Sequence, residues 1–262
     1  MEENKKNEVL MYQNNVRCDL YIGTGAGKKL MQEIRNAKKS VKVVSPFVSE
    51  VLIKKLISLH ESGIEINLIT SADSILNSNG SYKKVIYDLI VQNKIIDKQA
   101  DETRKRWSHI SKILSTINIG LVILLISLIF LMKDFRLILL TIPIIILALI
   151  IAIYKNEIKS KRVFTYTYSV LLPLKIFIRS ESNDHSYVHS KIYLIDDEIV
   201  YLGSLNFTVS GTQHNYETRI RTTDSETVNK IREELNDLIN NSDLTEKDIQ
   251  SWGKKLYREP IN

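Results

Sequence analysis

The sequence predicts an α/β domain interrupted by a two-helix transmembrane hairpin. Three observations carry that expectation: strand-like and helix-like runs alternate on both sides of the chain's middle, two long central stretches carry no charge, and the flanks of those stretches are basic. Bulk composition hides this. At 262 residues, 44% hydrophobic and 25% charged, the chain has the averages of an ordinary globular protein and enough length for one large core or two small ones. Disorder and fibrous repeats are excluded.

Taken in order, a helix is expected over Lys28–Lys38, followed by strands over Val41–Phe47 and Ile64–Thr70. Between those strands Val51, Leu52, Lys55, Leu56 and Leu59 keep helical spacing within Val51–His60, which makes a β-α-β unit. A helix starting near Ser81, with Val85, Ile86, Leu89 and Ile90 on one face, is expected to run almost unbroken into the first uncharged stretch. That stretch, Ile113–Met132, has 20 residues, and the second, Leu137–Tyr154, has 18. About 20 helical residues at 1.5 Å each cross a ~30 Å hydrocarbon core, and both stretches are apolar on every side, unlike a soluble helix with one buried stripe. Pro143 is expected to kink the second helix, and the four residues Lys133–Arg136 force the helices to be antiparallel neighbours. Further strands are read at Leu174–Ile178, Lys191–Ile195 and Ile199–Leu202, with the last two joined by a turn at Asp197-Glu198. A capping box of Thr223 and Glu226 then opens a helix carrying Val228, Ile231, Leu235, Leu238 and Ile239 on one face, and a short helix over Glu246–Tyr257 ends the chain. The organisation expected is a tail (1–16), a first half-domain (17–112), the hairpin (113–154) and a second half-domain (155–262).

Charge orients the hairpin. Lys94, Lys98, Arg104, Lys105, Arg106 and Lys112 precede it and Lys155, Lys159, Lys161 and Arg162 follow, against Lys133 and Arg136 in the connection. By the positive-inside rule both flanking segments are cytoplasmic, and two crossings return the chain to its starting side so that the two halves can fold together. Trp107 reads as an interfacial anchor. The Met1–Asn7 segment is charged and no apolar run follows it, so no secretory signal is expected. A lone cysteine, Cys18, excludes an intramolecular disulfide and a Cys-based zinc site and suits a reducing compartment. The net charge of +6 suits an anionic partner, either nucleic acid or an acidic lipid surface. Gly23, Gly25 and Gly27 before Lys28 imitate a phosphate-binding loop but lack its first glycine and its Ser or Thr, so they read as a flexible lead-in to a helix.

The chemistry concentrates in His189-Ser190-Lys191, Asp196 and Gly203-Ser204-Leu205-Asn206, a pattern H-x-K-x4-D-x6-G-S-x-N. Six identities at fixed spacing arise by chance in about one chain of this length in 10⁵ to 10⁶ at average residue frequencies. His189 and Lys191 stand two apart at the start of a strand, so alternation points both to one face. The returning strand brings Ser204 and Asn206 beside them. Lys191 supplies charge and Ser204 and Asn206 neutral donors for phosphate oxygens, and Glu217 is the carboxylate expected to fix the imidazole tautomer.

This segment, His189 to Glu217, resembles the HKD motif of the phospholipase D superfamily, and Tyr21–Asp73, including Ala37-Lys38-Lys39-Ser40, is similar to the amino-terminal half of the same domain. The resemblance implies an α-β-α sandwich around a mixed sheet, here interrupted by the hairpin. It implies a phosphodiesterase with His189, Lys191, Asp196 and Glu217 as catalytic residues, Asp196 acting indirectly by organising the strand and turn. Lys191, Ser204 and Asn206 would bind substrate phosphate. Neither cofactor nor metal is implied. Two motifs face each other in this family, one histidine attacking phosphorus and the other protonating the leaving oxygen. None of His60, His109, His185 and His214 is followed by lysine two residues on, so this chain has one motif, and the resemblance implies a homodimer with a shared active site. His60, His109 and His214 read as surface residues and His185 as a solvated loop histidine. Nucleic acid is the favoured substrate, because short members with a single motif are mostly endonucleases. A phospholipase or phosphatidyltransferase acting on anionic phospholipid, held at the lipid surface by residues 113–154, is the alternative, and a non-catalytic phosphate- or lipid-binding membrane protein is the third reading.

Overall fold

The computed structural model describes residues 12–71, 89–177, 188–240 and 248–262. Backbone packing divides the chain into two compact units, Met1–Val91 with Tyr168–Leu256, and Gln92–Thr167 with Tyr257–Asn262. The first unit is built on β1 (Asp19–Thr24), α1 (Gly27–Arg35), β2 (Ser40–Val44), α2 (Glu50–Glu61) and β3 (Glu65–Ser71). After the second unit it resumes with β6 (Leu174–Phe177), β7 (Ile192–Ile195), β8 (Ile199–Gly203), α5 (Val209–Gln213), β9 (Tyr216–Thr222), α6 (Ser225–Asn240) and α7 (Ile249–Leu256). Seven strands form one mixed sheet in the order β1-β9-β8-β7-β2-β3-β6. The pairs β2–β3 and β3–β6 are parallel and the remaining four antiparallel.

Alternation along the strands sorts the core into two layers. Val41, Val43, Ile66, Leu68, Tyr193 and Ile195 face α1 and α2, where they meet Leu30, Ile34, Leu52 and Leu56. Val44, Ile69, Leu194 and Val200 face the other way, against Val228, Ile231 and Leu235 of α6. The result is an α-β-α sandwich. Central β2 is buried along its whole length, as a strand covered on both faces must be. Leu52, Ile53 and Leu56 are all but sealed, and burying each such side chain stabilises the fold by about 1.5–3 kcal/mol.

The second unit contains β4 (Ile90–Ile96) paired with β5 (Phe164–Val170), α3 (Lys98–Met132), a 3-10 turn (Phe135–Leu140) and α4 (Thr141–Ser160), with β4 and β5 each running across the unit boundary. Helices α3 and α4 pack along one another, and both are long and apolar enough to cross a membrane. Large side chains on them point outward, Phe130 being 82% and Leu131 75% exposed. The last residues close onto this unit: Val163 N–H donates to Ile261 O, Tyr166 Oη to Pro260 O, and Arg162 pairs with Glu259.

Four expectations are corrected. The helix expected from Ser81 does not run into the hairpin, because the β-branched run Ile90–Ile96 forms β4 and α3 starts afresh at Lys98 under an Asp97 cap, whose Oδ1 accepts from Ala100 N at 2.9 Å. Residues 81–88 lie outside the described residues. Pro143 does not interrupt its helix, since it sits in the first turn of α4, where a missing N–H and a fixed φ are tolerated. The turn after β7 centres on Asp196 and Asp197, both at positive φ (54° and 55°), one residue before the expected pair. Aspartate tolerates that region better than most residues. The cap of α6 is Asp224, accepting from Thr227 N and Oγ1 at 2.9 and 2.6 Å, while Glu226 pairs with Lys230.

Candidate active site

The antiparallel ladder β7–β8–β9 carries the motif. Ile192 pairs with Leu202, and Leu202 with Ile220, so the start of β7, the end of β8 and the start of β9 meet at one edge of the sheet. His189 and Lys191 lie immediately before β7, and Ser204 and Asn206 immediately after β8. Glu217 is the second residue of β9. Gly203 makes the approach possible: at φ +156°, a Cβ there would stand 2.0 Å from Thr218 O. No side chain fits between the two strands at that point, and the closeness lets Ser204 reach Glu217.

Lys191 is buried and its ammonium touches His189 at three points, 3.2 Å from Nδ1, 3.3 Å from Nε2 and 2.7 Å from the carbonyl oxygen. The imidazole itself is exposed. Burial pulls the Lys191 pKa below the ordinary lysine value, and the negative charge of Glu217 works against that fall. Glu217 is buried, its carboxylate accepting from Ser204 Oγ through a short contact and from Asn215 Nδ2 at 3.1 Å. Ser204 Oγ in turn accepts from Thr218 N at 3.1 Å.

This geometry reassigns two groups. Glu217, expected to orient the imidazole, is held by Ser204 and Asn215 instead and faces Lys191 through its field. The Ser204 hydroxyl, expected to cradle phosphate, spends its proton on Glu217. Asn206 keeps a buried Oδ1 with no hydrogen-bond partner among the described residues. Asp196 is not brought into the group: it stands at the far end of β7, where Lys38 N (2.9 and 3.0 Å), Lys39 N (2.6 Å) and Ser40 N (3.0 Å) all donate to its carboxylate. Burial opposes its charge, yet those amides and Lys39 hold the carboxyl below its usual range. His185 lies outside the described residues.

Several residues around the group went unnoticed in the sequence. Buried Tyr193, two residues beyond Lys191 and on its face, donates from Oη to Leu205 O at 2.7 Å, and burial drives its phenol pKa upward. Ser45 Oγ accepts from Phe207 N at 2.9 Å and donates to Phe47 O, tying the end of β2 to the segment after Asn206. Arg219, buried between the rings of Tyr21 and Tyr201, donates to Ala26 O and holds the glycine-rich segment in place. Only the period-two spacing from Lys191 to Tyr193, and from Glu217 to Arg219, could have flagged them. Gly27, the first residue of α1, has a packing role besides: a Cβ there would meet Thr212 Cα at 2.5 Å.

The family model described as "Cardiolipin synthase, PLD-like domain" matches residues 30–239. The chain belongs to the phospholipase D superfamily. It is thereby a phosphodiesterase-type enzyme. Similar solved structures include NucT from Helicobacter pylori, 16% identical over 88% of this chain and 99% of that one, with a TM-score of 0.47. Nuc from Salmonella typhimurium, a phospholipase D family member, is 13% identical over 88% and 99%, with a TM-score of 0.45. Phosphatidylserine synthase from Haemophilus influenzae Rd KW20 is 10% identical over 94% of this chain and 45% of that one, with a TM-score of 0.42. No curated protein sequence matches the chain.

Proposed function

We propose that this protein is a membrane-anchored, metal-independent endonuclease that works through a phosphohistidine as a homodimer. The observation that carries the chemistry is the Lys191 ammonium lying 3.2 Å from the ring of an exposed His189. A diester seated there meets a nucleophile and a cation together. His189 attacks phosphorus, and the leaving oxygen departs with a proton from the second copy's His189. Water then cleaves the phosphorus–nitrogen bond, giving its proton back to that second imidazole, while Lys191 neutralises the non-bridging oxygens in both transition states. Two copies are needed because one chain carries one motif, and a two-fold axis would set the two histidines face to face. Helices α3 and α4 supply the anchor, with both flanking segments on the cytoplasmic side.

Lipid is the second reading. The two apolar helices would hold the site at a bilayer, and the matching family's description names cardiolipin synthase. The full-length protein in EDTA, offered single-stranded DNA, RNA, duplex DNA and anionic phospholipid in parallel with a His189→Ala control, separates the two. Cleavage of nucleic acid that disappears in His189→Ala is the expected result. Turnover of phospholipid alone would replace the nuclease reading, and dependence on added magnesium would overturn the mechanism.

A further inference from the structure

Away from the motif, three cations converge on one cavity. Lys28 and Arg35, seven residues apart on one face of α1, and Lys55 on α2 line a space of about 450 Å³, which the end of α5 closes with Gln213 and His214. Among the described residues no carboxylate lines it. Among the described residues none of the three cations has an ion-pair partner, whereas Lys54, next to Lys55, is held by Glu50 at 2.6 Å. Three like charges around a concavity repel one another and focus a positive potential, so an anion bound there relieves a standing cost. Buried Met31 and Leu52 form an apolar floor, which suits the face of a base or sugar beside the charged group.

The cavity is tied to the motif through α5. At its start, Thr208 N donates to Asn206 O. At its end, His214 lines the cavity and the next residue, Asn215, bonds Glu217. We propose that this cavity holds a flanking phosphate of the nucleic-acid strand, outside the bond that is cut. The proposal rests on the nuclease reading and adds to it a contact with the polymer that a small diester cannot make.

The test uses the full-length chain in detergent, carrying His189→Ala to prevent cleavage, and measures binding of a long oligothymidylate and of a thymidine dinucleotide. Replacing Lys28, Arg35 and Lys55 together by alanine should weaken the long strand about tenfold or more at low salt. It should also reduce the slope of log K against log salt by about 0.7, the contribution of one phosphate contact on a single strand. Dinucleotide affinity should change less than about twofold, and the charge-keeping set Lys28→Arg, Arg35→Lys and Lys55→Arg should restore long-strand binding. Unchanged long-strand affinity in the alanine variant, with His189-containing protein still cutting DNA or RNA, overturns this proposal and leaves the nuclease reading intact. Equal loss for both probes overturns it too, by showing damage to the site itself. If the His189-containing protein cuts no nucleic acid and the alanine variant instead loses binding to phosphatidylglycerol vesicles, both readings fall.

Discussion

Replacing Asp196 separates a structural carboxylate from a catalytic one. All three amides of Lys38, Lys39 and Ser40 donate to its Oδ1, and Lys38 also to Oδ2. Lys38 and Lys39 are exposed, so water can replace the carboxylate there, but Ser40 is buried and its amide would be stranded. A stranded donor costs about 1–3 kcal/mol and each of the other two bonds about 0.5–1. For alanine, which also tolerates φ +54° poorly, another ~1 kcal/mol follows, so Asp196→Ala should destabilise by roughly 3–6 kcal/mol. Asparagine keeps Oδ1 and tolerates that φ, losing charge assistance and setting its NH2 against Lys38 N–H, for about 1–2 kcal/mol. At about 2–4 °C per kcal/mol for a unit this size, the alanine melt falls on the order of 10 °C. Trp252, buried at 2% in the same unit, reports it by fluorescence in a Trp107→Phe background. The carboxyl lies below its usual range when folded, so its stabilisation is complete above the unfolded pKa near 3.9 and fades as pH falls through the lowered folded value. The gap between wild type and Asp196→Asn should be flat at neutral pH and close in acid. Folded Asp196→Asn should retain most of its turnover. A variant that melts like wild type but has lost its activity would place the carboxylate in the chemistry and refute this reasoning.

The remaining predictions bear on the site and the anchor. A mixed dimer of wild-type and His189→Ala chains, isolated through two different tags, should lose about 10² to 10⁴ of its turnover, the worth of general acid catalysis; activity near half of wild type would mean each chain acts alone. In Glu217→Gln the anion that supports the Lys191 charge is gone, so the ammonium deprotonates at lower pH and the alkaline limb of kcat/KM should move to lower pH. A limb that stays put or moves upward would contradict the coupling. Gly203→Ala must push Thr218 away from a 2.0 Å approach and should destabilise by about 1–3 kcal/mol, with a matching loss of activity as Ser204 is displaced from Glu217. Reporters fused at either terminus should be active on the cytoplasmic side only, and activity confined to the outer side would sink the orientation.

What was legible in the chain follows from which forces are local. The β-α-β unit at Ser40–Ser71 and the single-faced helix α6 announced themselves because burial imposes periods of 2 and 3.6 on the sequence. Helix beginnings were less visible: Thr223 and Asp224 are both acceptable caps, and the choice of Asp224 depends on where the chain leaves β9. The break between Leu89 and Lys98 was missed because Ile90 and its neighbours satisfy a helical face as well as a strand, and only pairing with β5 decides. In the site, residue types were readable and hydrogen-bond directions were not. Nothing local says that Ser204 gives its proton to Glu217, since the two are brought together by the register of β8 on β9.

The motif's spacing is itself a measurement of that register. The four residues between Lys191 and Asp196 are β7 in its entirety. Asp196 closes the strand by anchoring on the amides that lead into β2, and the six residues from Asp197 to Leu202 are the rest of the turn and all of β8 except its last residue. Continuing the pairing of Ile192 with Leu202 by one step sets Lys191 opposite Gly203, and Gly203 pairs with Arg219, two residues from Glu217. A residue added or removed in either gap would turn one strand over relative to the other, burying the wrong face and carrying Lys191 or Ser204 away from Glu217. Asp196 therefore belongs to the motif as the pivot that fixes the hairpin's length, and the separation in sequence between the histidine and the asparagine is set by strand geometry rather than by contact with substrate.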